Sequence, residues 1–525
     1  MSQVNTNRRY LADMKADNFM VDSEWWTLED VYDRLPNSDS GEFISDMSPD
    51  VRERVEKCHA YLADKILKKN VTVYGVNTGF GSLANTRIPK DKLSELQYKI
   101  LISHACGVGE DVPDFIVRMM LLLKAKALGQ GHSAVNPLTI ERLLDFLDSD
   151  VIPIVPCQGS LGASGDLAPL SHLVIPMIGE GEVSIRGGEP VHASEALKEF
   201  GWKKLLLGPK EGLALINGTQ LMLSYGVASM LRIDNLMEWA NAIGAWSLES
   251  WSGLESPFDH DLHRVRNQEG AMDVAASVRD WIDGSEKMKS LRTQVQDPYS
   301  FRCIPQVHGA SFDVFIEARN LFENEVNAVT DNPLVFPDED KVVSGGNFHG
   351  QPLALTIDRL TLAVHELASI SERRVFKLMS GTRNLPAFLA KDPGLNSGFM
   401  IVQYTAASLV SLNKQLTTPS SADNADSSNG QEDHVSMGAN AALKLWQVIE
   451  QAEQVLAIEA LCAAQASDLG HLAGLGKMSP KLQKLQDAFR AEIPFLEEDS
   501  YMSPFIESAH EFIALNSPVE LSSCH

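Results

Sequence analysis

The chain is constrained above all by apolar residues that recur at three- and four-residue steps over very long stretches. Within residues 352–379, Leu353, Ile357, Leu360, Val364, Leu367 and Ile370 fall on one stripe. Within 438–466 the spacing recurs in Leu445, Ile449, Ala452 and Leu456. That period puts the apolar side chains on one face of an α-helix. Residues 217–248 and 308–329 are further long helical candidates. Helices of this length need neighbours of similar length to bury their stripes. The expected fold is therefore mostly α, a long antiparallel helix bundle with a smaller N-terminal domain and a few short strands. The strand-prone pieces are short, at 71–75, 182–185 and 341–344, and residues 417–430 read as a polar loop.

Residues 1–48 are polar and acidic around Trp25-Trp26 and read as an N-terminal extension anchored by that pair. Ser48-Pro49-Asp50-Val51-Arg52-Glu53 has the form of a helix start running to about residue 69: a capping serine, a first-turn proline and acids behind it. Residues 49–131, with a second helical stretch at 93–103, form the N-terminal domain, and 132–525 the bundle domain. The 525 residues carry 45 Lys and Arg against 70 Asp and Glu, a net charge of −25 with no basic stripe, which argues against nucleic acid or an anionic membrane as partner. Cys58, Cys106, Cys157, Cys303, Cys462 and Cys524 are scattered and form no C-x-x-C pair. Free thiols, no signal-peptide pattern and no apolar run long enough to span a bilayer point to the cytoplasm. Neither an H-E-x-x-H nor a P-loop pattern occurs, so no metal and no nucleotide is expected.

Polar and glycine-rich islands interrupt the helical sequence. One is Gly159-Ser160-Leu161-Gly162-Ala163-Ser164-Gly165-Asp166. In a tight enough bend the Gly165 nitrogen can attack the Ala163 carbonyl carbon. Loss of that water, and of a second from the Ser164 side chain, leaves a five-membered ring with an exocyclic methylene. Such a ring is an electrophile that ordinary side chains do not supply. Glycine offers an unhindered nitrogen, serine a leaving hydroxyl, and alanine no bulk. Alone, the tripeptide reads first as an ordinary flexible loop entering a helix, and the context must decide.

That context is Tyr-Gly-Val-Asn-Thr-Gly-Phe-Gly (74–81), Ser-His-Ala-Cys-Gly-Val-Gly (103–109), Gly-Ala-Ser-Gly-Asp-Leu (162–167), Asn-Gly-Thr (217–219), Gln-Asp-Pro-Tyr-Ser-Phe-Arg-Cys (296–303), Asp-Asn-Pro (331–333), Gly-Gly-Asn-Phe-His-Gly (345–350) and Gln-Glu-Asp-His-Val-Ser-Met (431–437). In this set and order the chain resembles the aromatic amino acid ammonia-lyase family from about residue 71 to its last helices. The resemblance implies an almost wholly helical homotetramer whose active sites mix residues of several subunits. It implies that Ala163-Ser164-Gly165 becomes the 4-methylideneimidazol-5-one group, MIO, which takes up an amino acid substrate. It implies that Tyr74 removes the β proton. A phenol is a reluctant base near neutrality and needs surroundings that favour its anion. Arg302 would clamp the substrate carboxylate through its planar guanidinium. Asn217 and Tyr299 would hold the MIO and amine region, with Gln296 as a polar contact and Phe348 against the ring system. Helix N-termini aimed at the MIO would stabilise charge on its oxygen.

Ser103 and His104 would lie by the substrate ring. A Ser-His pair suits an imidazole, although tyrosine-using relatives also carry His there. Glu432 stands where relatives acting on phenylalanine or tyrosine carry Gln. A carboxylate can bond an imidazole, whereas beside a phenyl ring it loses solvation without a partner. The reading tips to L-histidine, giving trans-urocanate and ammonia. The alternatives are a tyrosine or phenylalanine lyase, a 2,3-aminomutase, or an inert helical binding protein. A plainer role for Glu432 is to cap the helix that follows it. Leu412 and Ala425-Asp426-Ser427 depart from the family pattern, which usually has Glu at the first and Ile-Pro-Thr at the second.

Overall fold

The computed structural model describes residues 18–36, 44–67, 71–289 and 294–523. Strands β1 (Asn18–Val21) and β2 (Ile44–Met47) pair in parallel. Helix α1 (Pro49–Leu67) begins where expected: the Ser48 carbonyl accepts from Arg52 N and its hydroxyl donates to the Asp50 carboxylate at 2.6 Å. Its expected end at 69 lies outside the described residues. Only one tryptophan of the Trp25-Trp26 pair is an anchor. Trp26 is buried, with Lys126 Nζ 4.2 Å and the Arg34 guanidinium 4.6 Å from its ring centroid, whereas Trp25 is 57% exposed. The expected strand at 71–75 does not form. The Asn77 side chain accepts from Val73 N and donates to the Val71 carbonyl, each at 2.8 Å, and so bends the segment into a turn despite its β-branched residues.

The remaining helices that position the site are α2 (Leu93–His104), α3 (Asp114–Gly129), α4 (Leu167–Val174), α5 (Glu211–Ile216), α6 (Gln220–Ser250), α7 (Glu269–Ile282), α8 (Ile304–Val326), α9 (Gln351–Leu378), α10 (Met400–Leu416) and α11 (Gly438–Leu472). The bundle is built by α9 along α11, α6 against α11, α8 against α9 and α6, and α7 against α8. The two stripes form its seam: Leu353, Ile357, Leu360, Val364, Leu367, Leu445, Ile449, Ala452 and Leu456 are all fully buried. Burying a leucine or isoleucine contributes about 1.5–3 kcal/mol, so the seam alone is a large driving force. Polar clamps fix its register. Arg374 of α9 makes a two-pronged pair with Glu459 of α11 at 2.6 and 2.8 Å, and Arg232 of α6 does the same with Glu453 of α11 at 3.0 and 2.6 Å.

Short strands sit at the edges. Glu182–Ile185 lies between Val151–Pro153 and Val191–His192, and Leu334–Phe336 pairs with Lys341–Val343. Among the described residues no helix is long and apolar enough to cross a membrane. Cys58, Cys106, Cys157, Cys303 and Cys462 are free thiols, and Cys524 lies outside the described residues.

Candidate active site

A cavity of about 280 Å³ opens where the end of α2, the start of α4, α5 and several loops meet, just ahead of α6. Tyr74, Phe80, His104, Ser164, Asn217, Phe348 and Glu432 line it. Ser164 enters between Ala163 and Gly165 on a bend that is fixed from two sides. Gly165 has φ +78°, and a Cβ there would stand 2.0 Å from the Gly218 carbonyl oxygen. Only glycine fits both the conformation and the space. Asp166 N donates to that same oxygen at 2.7 Å, while Ser160 Oγ donates to the Gly165 carbonyl at 3.2 Å and accepts from Gly162 N at 3.0 Å. These residues fit the ring expected here: a crowded, left-handed glycine beside a serine that borders the cavity.

The next residue ties the bend to the bundle. The buried Asp166 carboxylate accepts from Leu221 N at 3.0 Å and Met222 N at 3.1 Å, two amides in the first turn of α6. Burial pushes its carboxyl up to about 7, against the pull of those amides. The N-terminus of α6 is thus occupied by Asp166. The short helix α4 opens directly behind the loop, at Leu167.

Asn217 ends α5 in an extended conformation. Its Nδ2 donates to Asp331 Oδ1 at 3.3 Å and to the Asn332 carbonyl at 3.0 Å, and its own carbonyl accepts from Lys124 Nζ at 2.5 Å. Asp331 pairs with Lys210 at 2.5 Å in a site closed to solvent. Burial pulls the Lys124 ammonium down to about 7, opposed by Asp331.

Tyr74 Oη accepts from Gly81 N at 3.1 Å, a bond that serves a phenolate as well as a phenol. The Tyr74 loop is held from outside by Ser428, whose Oγ accepts from Ser82 N at 3.3 Å. Ser103 Oγ and His104 Nδ1 are 3.0 Å apart. His104 lines the cavity, whereas Ser103 borders an adjoining outer cavity of about 860 Å³, which His104 and Glu432 also line. Burial lowers the affinity of His104 for a proton, with Glu432 opposing. Glu432 does not cap a helix: the next one begins at Gly438, and Glu432 Oε2 accepts instead from Ser427 Oγ at 3.1 Å. Ser427, one of the residues that depart from the family pattern, therefore steadies Glu432.

Gln296, Tyr299 and Arg302 do not join this cavity within one chain. Gln296 is exposed and Tyr299 is 70% exposed, with the Arg302 guanidinium 4.5 Å over its ring. Their segment is pinned at the far end of α6, by Asp297 to Arg383 at 2.6 Å and by Phe301 stacked on Trp251. The cavity is at the near end of that 31-residue helix, roughly 45 Å away at 1.5 Å per residue.

Sequence reasoning missed the roles of Lys124, Lys210 and Asp331. Only the Asp-Asn-Pro motif signalled any of them. Among the described residues no group of three or more His, Cys, Asp or Glu side chains could hold a metal ion.

The aromatic amino acid lyase family model matches residues 32–491. The chain is 47% identical over 468 residues to a histidine ammonia-lyase of Geobacillus sp. (strain WCH70), covering 89% of this chain and 91% of that one. It is 44% identical over 510 residues to a histidine ammonia-lyase of Staphylococcus aureus (strain USA300), covering 96% and 99%. The crystal structure of histidine ammonia-lyase from Trypanosoma cruzi superposes with a TM-score of 0.87 at 38% identity, covering 96% of this chain and 95% of that chain.

Proposed function

The chain belongs to the aromatic amino acid lyase family and is a carbon–nitrogen lyase, and from that premise we propose that it eliminates ammonia from L-histidine to give trans-urocanate. The observation that carries the choice of substrate is Glu432, which lines one cavity with His104, Tyr74 and Ser164. Its carboxylate is a partner for an imidazole N–H and has none in a phenyl ring. The identity to histidine ammonia-lyases supports the same choice.

Ala163-Ser164-Gly165 would hold the MIO group, whose methylene supplies an electrophile that makes the substrate amine a better leaving group. The rest falls to side chains. Tyr74 takes the β proton, its oxygen oriented by the Gly81 amide. The Cβ–H electron pair becomes the Cα=Cβ bond as the amine leaves Cα. Asn217 holds the amine region, Phe348 packs against the ring system, and Ser103, His104 and Glu432 receive the imidazole. Gln296, Tyr299 and Arg302, which lie away from the cavity of their own chain, serve the cavity of a neighbouring copy in a homotetramer. Arg302 there clamps the substrate carboxylate. Free thiols and a net charge of −25 fit a cytoplasmic enzyme.

The test is a substrate panel on purified protein, paired with Ser164→Ala. Urocanate absorbance is expected with L-histidine and is expected to vanish in the variant while its helical content stays intact. Cinnamate or coumarate from phenylalanine or tyrosine, with no urocanate, would overturn the choice of substrate. Undiminished turnover in Ser164→Ala would overturn the electrophile.

A further inference from the structure

The Asp331-Asn332-Pro333 motif has no role in the chemistry above, yet it sits directly against a residue that does. The Asn217 amide has two N–H bonds to give. One points to Asp331 Oδ1 at 3.3 Å and the other to the Asn332 main-chain carbonyl at 3.0 Å. Neither partner can donate in return: one is a carbonyl, the other a carboxylate. Although burial works to raise the Asp331 carboxyl, Lys210 holds it below the ordinary range, so it stays ionised. The exchange of oxygen and nitrogen that leaves most asparagine amides ambiguous is therefore settled by chemistry here. The main chain of Asn217 is equally fixed, its carbonyl taking the Lys124 ammonium. With both N–H bonds committed, Oδ1 is what Asn217 can offer the cavity it lines.

We propose that Asp331, held in place by Lys210, is a positioning residue that locks the Asn217 amide with its oxygen towards the cavity, so that this position accepts from the substrate ammonium and cannot donate. The assignment rests on the proposed function, because it presumes an amino acid in the cavity. It explains why an ion pair is buried where it touches no reacting atom. A lone buried carboxylate would be costly, and Lys210 keeps it charged and stationary. It also makes a chemical distinction: a ligand with an amine gains from the lock, and the same ligand without the amine does not.

Two variants test this. Asp331→Asn introduces an amide that can donate to Asn217 Oδ1 and lets residue 217 turn over. Lys210→Met combined with Asp331→Asn removes both charges together, so that neither is stranded if the single variant folds poorly. In each, kcat and KM for L-histidine are measured beside the inhibition constant of 3-(imidazol-4-yl)propanoate, its amine-free analogue. We expect kcat/KM for histidine to fall about tenfold or more, the scale of one hydrogen bond to a charged group, while the analogue's inhibition constant stays within about twofold. Equal losses for both ligands, or no loss for either, would overturn the proposal. Intact mass is read on the same samples. A variant that has not lost two waters would move Asp331 into ring formation and also overturn it. If the parent protein leaves histidine untouched, the proposed function fails separately, and the comparison is made with the amino acid it does consume and that acid's amine-free analogue.

Discussion

One methyl group decides whether the bend at residue 165 can exist. An alanine there would bring its Cβ to 2.0 Å from the Gly218 oxygen in a left-handed conformation that L side chains rarely adopt. Gly165→Ala is expected to keep the full calculated mass, with no loss of two waters, and to show no urocanate formation. Mass spectrometry and the absorbance assay check this together. Glu432→Gln keeps the shape of the side chain and removes its charge. It should lower kcat/KM for histidine by roughly ten- to a hundredfold, the range for a charge-assisted hydrogen bond, and Ser427→Ala should do so more weakly. At this scale the sequence was informative wherever local chemistry is written locally, as in Ala-Ser-Gly. It was silent on Lys124, one of three cations, with Arg118 and Lys126, in an otherwise apolar helix. It was also silent on the Lys210–Asp331 pair, which spans 121 residues and leaves no trace in either neighbourhood.

Helices recovered from the sequence include some with one wet face and also α6, expected over 217–248 and buried on nearly every side. α9 and α11 each carry a stripe, and both are found within a few residues, α11 running on to Leu472. α3 is buried on nearly every side too, but its apolar residues show no period and the sequence gives no outline of it. Between helices, the Arg232–Glu453 clamp carries a pH signature. Burial works to raise the Glu453 carboxyl, but Arg232 and a bond with His510 override it and bring it down to about 2 from an ordinary 4.5. Between those values the unfolded chain binds a proton that the folded chain does not. The clamp's stability is therefore present above pH 4.5 and is lost as pH falls towards 2. Melting temperature should drop over that interval, and by less in Arg232→Met combined with Glu453→Met. Glu453→Gln alone strands Arg232 and should cost about 3–5 kcal/mol in denaturant unfolding.

Across the whole molecule, the groups assigned to the substrate divide between the two ends of α6. The cavity end carries Tyr74, Ser164, Asn217 and Glu432, and the far end carries Gln296, Tyr299 and Arg302. Tyr74→Phe and Arg302→Met should each be nearly inactive, yet regain activity when the two are unfolded and refolded together, because some sites then draw an intact half from each chain. Sites built within one chain would show no recovery. Subunit sharing is implied by the family motifs but not by the helical periodicity, which says nothing about which copy a loop faces. The link between Asp166 and the start of α6 has a further consequence. The Asp166 carboxylate and the Leu221 amide it accepts from stand 55 residues apart, so the bend of the serine loop is tied to the start of the long helix. Under the proposed chemistry, dehydration of the backbone would therefore be a covalent record of correct assembly. Chains that go astray would then keep the full calculated mass, and the fraction of lighter mass in a fresh preparation is expected to count the molecules that were built properly.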